Sequence, residues 1–85
     1  MLSTTPTLNP ASLVPFSQGW VPPTRDEFRS VMVMAGFSPA GCAQYLGVSR
    51  KVVNTWTTGA APVQFSCWSL LCLKAGLPKF WDEAV

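Results

Sequence analysis

Residues 38–59 read SPAGCAQYLGVSRKVVNTWTTG, and the caps and glycines in that run leave the chain little choice. Ser38 is a helix N-cap, and Pro39 follows at the first helical position, where its missing N–H and fixed φ are favoured. Cys42, Ala43 and Leu46 share one face at helical spacing. Gly47 ends that helix, Ser49 caps the next, and Gly59 stops it. The stretch predicts a short helix, a tight turn and a second short helix. Two helices joined so closely need a small residue where they cross, and Ala43 is there. The turn needs a residue free to take positive φ or fill a tight space, and Gly47 is there. Leu46, Val48, Val53 and Trp56 are spaced to pin the second helix, with its first residues projecting outward.

The flanks extend the helical pattern. Thr24 followed by Glu27 is a capping box, and Asp26 and Glu27 lie where a helix dipole favours negative charge. Phe28, Val31, Met32 and Ala35 recur at i, i+3, i+4 and i+7, and Gly36 is a C′ residue, which predicts a first helix over about 25–35. Pro62 opens a further helix over about 63–75, stopped by Gly76 and Pro78, with a last turn around Lys79–Glu83. Residues 1–23 differ: five of the eight prolines lie there, so no regular helix runs through them. Met1 to about Asn9 is expected to be mobile. Phe16–Pro23 is expected to lie along the body of the domain, anchored by Trp20. The predicted class is all-α, with an irregular Pro-rich arm over 1–23 and a helical domain over 24–85.

Composition narrows the function. Hydrophobic residues make up 48% and charged residues 12%, which excludes disorder of the whole chain. There is no histidine, so the commonest general base and metal ligand are missing. The four acids are two adjacent pairs, Asp26–Glu27 and Asp82–Glu83, and sequence neighbours on a helix diverge rather than form a dyad. An enzyme is not expected. Cys42, Cys67 and Cys72 contain no CxxC pair and do not complete a zinc site; free buried thiols in a reducing cytoplasm are expected. No secretory signal and no membrane-length apolar run is present. A net charge of +2 permits an anionic partner without demanding one, so the placement of the charges decides.

At Ala43, the run Leu46-Gly47-Val48-Ser49, Val53, Trp56 and Gly59, the sequence resembles the lambda-repressor-like (Xre-type) helix-turn-helix family, of the kind found in phages and other mobile elements. The resemblance covers about residues 24–77. It implies a compact bundle of four or five helices that binds double-stranded operator DNA, usually as a homodimer, and regulates transcription. One position departs from the pattern. The family often carries a glutamine at the start of the second helix that touches a phosphate, and here that position is Pro39; Ser38 is expected to supply a substitute donor.

Within that frame the candidate DNA contacts are Ser38, Ser49, Arg50, Lys51, Asn54, Thr55 and Thr58. Arg50 and Lys51 stand side by side at the start of the recognition helix, where base edges are reached. Arginine pairs bidentately with guanine O6 and N7, and lysine donates to the same atoms. Thr55 shares their outward face, fit for a base edge or a thymine methyl. Asn54, Thr57 and Thr58 are expected at the phosphates, which position a protein without reading sequence. Val52 is expected to be a partly buried packing residue.

The fourth helix carries two apolar stripes, Phe65, Trp68, Cys72 and Ala75 on one side and Val63, Cys67, Leu70 and Leu71 on another, with Gln64, Ser66, Ser69 and Lys74 polar. A helix apolar nearly all round must be covered nearly all round. It is either a core helix covered by the N-terminal arm or a subunit interface extended by Leu77, Phe80 and Trp81. The expected function is a small cytoplasmic repressor or autoregulator, bound as a homodimer to a roughly palindromic operator, with no cofactor or small-molecule ligand. The alternative is a protein-interaction module on the same fold that binds or inhibits a regulatory protein. An open surface around Arg50 and Lys51 favours the first, and a surface covered by the Trp20 arm favours the second.

Overall fold

A computed structural model describes residues 8–77. Four α-helices follow two short 3-10 turns at Pro10–Ser12 and Phe16–Gln18: α1 (Arg25–Met34), α2 (Pro39–Leu46), α3 (Arg50–Thr58) and α4 (Phe65–Lys74). No strand occurs among the described residues. The expected last turn at Lys79–Glu83 and the start of the arm at residues 1–7 lie outside them.

Local chemistry sets each boundary. The Thr24 hydroxyl accepts from the Glu27 amide at 3.2 Å, and the Glu27 carboxylate accepts from the Thr24 amide at 2.8 Å, which closes the capping box of α1. Ser38 and Ser49 cap α2 and α3 by accepting from the amides of Gly41 and Val52. At the end of α1, Phe37 donates to the Met32 carbonyl and Gly36 to that of Val33; Leu77 and Gly76 repeat the pattern on Cys72 and Leu73 of α4. These are Schellman closures, and in each the residue after the glycine packs onto the core. Gly47 has φ +74°, so the turn between α2 and α3 uses the left-handed conformation that disfavours any side chain.

α3 packs on α1 and α2, and α4 closes the other side of the same pair. The core is aromatic at its centre. Phe28 meets Trp56 edge-on at 5.6 Å between ring centroids and lies 6.5 Å from Trp68. Phe28, Val31, Val53, Trp68, Leu71, Cys42 and Cys72 are fully buried. The three thiols are free and buried. Burial pushes Cys72 up to about 12; burial, then the neighbouring Cys67, pushes Cys42 up to about 11; burial raises Cys67 as well.

From Leu8 onward the arm covers α4. Leu8, Leu13 and Trp20 pack against the core. Phe16, Trp20 and Phe65 form an aromatic cluster, with Trp20 and Phe65 edge-on at 5.1 Å. Asn9 caps the first 3-10 turn and donates its amide to Glu27 at 2.7 Å. This bond joins the near end of the arm to the first turn of α1.

Two expectations are corrected in α4. The helix begins at Phe65, not 63: Gln64 is extended and serves as N-cap, and Val63 is a buried plug ahead of the helix, 4% exposed. Ser69 and Leu70 exchange places relative to the apolar pattern. Ser69 is buried, its hydroxyl donating to the Phe65 carbonyl at 2.9 Å, whereas Leu70 is 44% exposed. A serine that satisfies its hydroxyl on its own helix costs little to bury.

Candidate nucleic-acid interface

The surface built around α3 starts from the turn. Gly47 and the Ser49 cap set the helix so that Val53 and Trp56 face the core and are buried. The other faces of the helix then point outward: Arg50, Lys51 and Asn54 are exposed and Thr55 is half-buried. Val52 is 36% exposed and so partly buried, as expected, while Val53 is the one of the pair that reaches the core.

Charge placement on this surface runs against helix stability. α1 carries Asp26 and Glu27 in its first turn, as the dipole prefers. α3 has no acid in its first turn and opens on Arg50 and Lys51, so two cations add to the positive end of the helix. No carboxylate among the described residues pairs with them. The ion pair recorded there is Arg25 Nε to Asp26 Oδ1 at 3.9 Å, between exposed side chains on α1. A cationic cluster left unneutralised at a helix N-terminus suits an anionic partner. The Trp20 arm leaves it open, since Trp20 contacts Ser12, Phe16 and Phe65 on the α4 side.

The hydroxyl groups are less free than their sequence positions suggest. Thr55 donates to the Val52 carbonyl, Thr57 to that of Asn54, and Thr58 to those of Asn54 and Thr55. In this arrangement the three threonines offer acceptor lone pairs and methyl groups rather than donors. Back-bonding of this kind is common for threonine in helices, where the i−3 and i−4 carbonyls are within reach. Ser38 and Ser49 spend a lone pair on capping and keep their hydroxyl protons for a partner. At the far end of α3, the Arg25 side chain lies over the C-cap glycine: a Cβ on Gly59 would stand 3.5 Å from Arg25 Cδ. Sequence spacing had not singled Arg25 out, because the contact joins elements 34 positions apart.

Of the remaining site candidates, Leu77 is half-buried against the core, and Phe80 and Trp81 lie outside the described residues. Among the described residues, no three His, Cys, Asp or Glu side chains gather into a metal-holding group. No helix of the described residues is long and apolar enough to cross a membrane.

Two relatives are similar to this chain. Both are named transcriptional repressor protein KorC, and both are from Escherichia coli. One is 31% identical over 70 residues, covering 79% of this chain and 82% of its own; the other is 32% identical over 68 residues, covering 76% and 80%. The chain belongs to the KorC family. Matches of that length cannot avoid the middle of an 85-residue chain, so the KorC likeness spans α2, the Gly47 turn and α3. No protein-family model matches the chain, and no solved structure matches it significantly.

Proposed function

We propose that the protein is a sequence-specific DNA-binding transcriptional repressor of the lambda-repressor-like helix-turn-helix type. α3 enters the major groove, with Arg50 and Lys51 at guanine edges and Asn54 and Thr55 one turn further on. Ser38, Ser49 and Thr58 lie toward the sugar-phosphate backbone. The observation that carries this reading is the exposed, unpaired Arg50–Lys51 cluster at the N-terminus of α3, in a chain whose relatives are named repressors. The protein acts as a homodimer through Leu77, Phe80 and Trp81. A twofold dimer matches a roughly palindromic operator with half-sites about one helical turn (34–36 Å) apart. Control is by protein concentration, as in an autoregulator of a phage or other mobile element acting in the bacterial cytoplasm.

Selection from a randomised double-stranded DNA library tests this. The wild type should enrich one palindromic sequence. Arg50→Ala should bind it about 1–3 kcal/mol more weakly and lose selectivity at one position per half-site, with an unchanged melting temperature. Failure to enrich any sequence, or equal binding by Arg50→Ala and Lys51→Ala, sinks the assignment.

A further inference from the structure

Val52 is the exposed residue of α3 that the DNA reading leaves without a task. It is 36% exposed on a helix whose inner face belongs to Val53 and Trp56. A β-branched apolar residue in that position gains no helix propensity and leaves apolar surface in water. Thr55, three residues on and therefore on the same side of the helix, turns its hydroxyl to the Val52 carbonyl at 2.5 Å. With that proton committed to the helix, Thr55 offers a partner its methyl group.

The outward face of α3 thus combines two chemistries: the cations Arg50 and Lys51, and an apolar spot made by Val52 and the Thr55 methyl. In the major groove, cations match guanine O6 and N7. The apolar group exposed on base edges there is the C5-methyl of thymine. We infer that Val52, supported by Thr55, is a specificity-determining residue that reads a thymine methyl beside the guanine contacts in each half-site. The inference rests on the DNA reading above, and it adds a base preference that no charged residue on α3 supplies.

The test uses the duplex obtained by library selection, with each thymine replaced singly by uracil. That exchange removes one methyl group and keeps the pairing. Affinities of the full-length wild type and of Val52→Ala are measured by fluorescence anisotropy at one fixed salt concentration. Alanine favours the helix, so the variant is expected to fold, and its melting curve checks that. At one thymine per half-site, uracil should weaken wild-type binding about fourfold and Val52→Ala binding by less than about twofold. Indifference of the wild type to uracil at every thymine overturns the assignment, as does an equal uracil penalty in both proteins. If no operator is selected at all, the DNA reading itself falls and this inference with it. A selected operator that is insensitive to the methyl overturns Val52 alone.

Discussion

The indole of Trp68 donates to the carbonyl oxygen of Ser12 at 2.8 Å, across 56 positions of the chain. Trp20 donates to the same oxygen at 3.0 Å. One carbonyl thus takes both its hydrogen bonds from tryptophans, one in α4 and one in the arm. Ser12 and Trp68 are fully buried, so this acceptor locks the arm to the core helix where water does not compete. Trp68→Phe should cost about 1–3 kcal/mol, from a lost buried hydrogen bond and a smaller ring. Trp20→Phe should cost less, since Trp20 is only half-buried. Urea unfolding of both variants checks the order, and a reversed order contradicts the arm's part in the core.

Trp56 ties α3 to the rest of the bundle through its edge-on contact with Phe28 and is 3% exposed. Trp56→Ala should cost about 3–5 kcal/mol, close to the whole stability of so small a domain. Circular dichroism should show a chain largely unfolded near 37 °C. A cooperative melt close to that of the wild type would contradict the placement.

Much of this arrangement was legible because its signals are local. Thr24, Ser38 and Ser49 announce helix starts through short-range hydrogen bonds, and Gly36, Gly47, Gly59 and Gly76 announce ends through their positive φ. The inner faces of α1, α2 and α3 follow from spacing alone. The docking of the arm through Trp20 was legible as well, but its partners were not, because the contacts join Ser12 to Trp68 and Asn9 to Glu27, pairs far apart in sequence. Hydrophobicity also misplaced Ser69 and Leu70, because the apolar pattern is blind to a hydroxyl satisfied by its own helix.

The thiols give a prediction with a definite sign. An ordinary cysteine ionises near 9.0, whereas burial pushes Cys72 up to about 12 and Cys42 up to about 11. The folded chain therefore holds these protons at pH values where the unfolded chain releases them. Their contribution to stability is complete below pH 9.0 and is lost as pH rises toward the folded values. Wild type should lose stability faster than Cys72→Ala between pH 9 and pH 11, as read by urea midpoints. Parallel pH profiles would contradict it. At pH 8, a thiol-specific chromophoric reagent should react with Cys42 and Cys72 only on unfolding.

The last prediction concerns assembly. Leu70 and Leu73 are 44% and 42% exposed and lie three residues apart on α4. They make an apolar row on α4; Leu77, beyond the left-handed Gly76, turns back onto the core, and Phe80 and Trp81 follow it by three and four positions in the sequence. A standard interface buries about 800 Å² per subunit, and a few aromatic anchors carry most of its energy. Sedimentation over a concentration series should therefore show a dimer at micromolar protein. Trp81→Ala should shift it toward monomer by removing an anchor, and Leu73→Asp by placing a charge in the apolar row. Because Leu73 is exposed, the monomer of Leu73→Asp should keep its helical signal, which separates lost assembly from lost folding. Both variants should bind a two-half-site operator far more weakly while keeping single half-site affinity, since linked half-sites gain from high effective concentration. A wild type that stays monomeric across the series rejects the homodimer and leaves α3 to act from a single subunit.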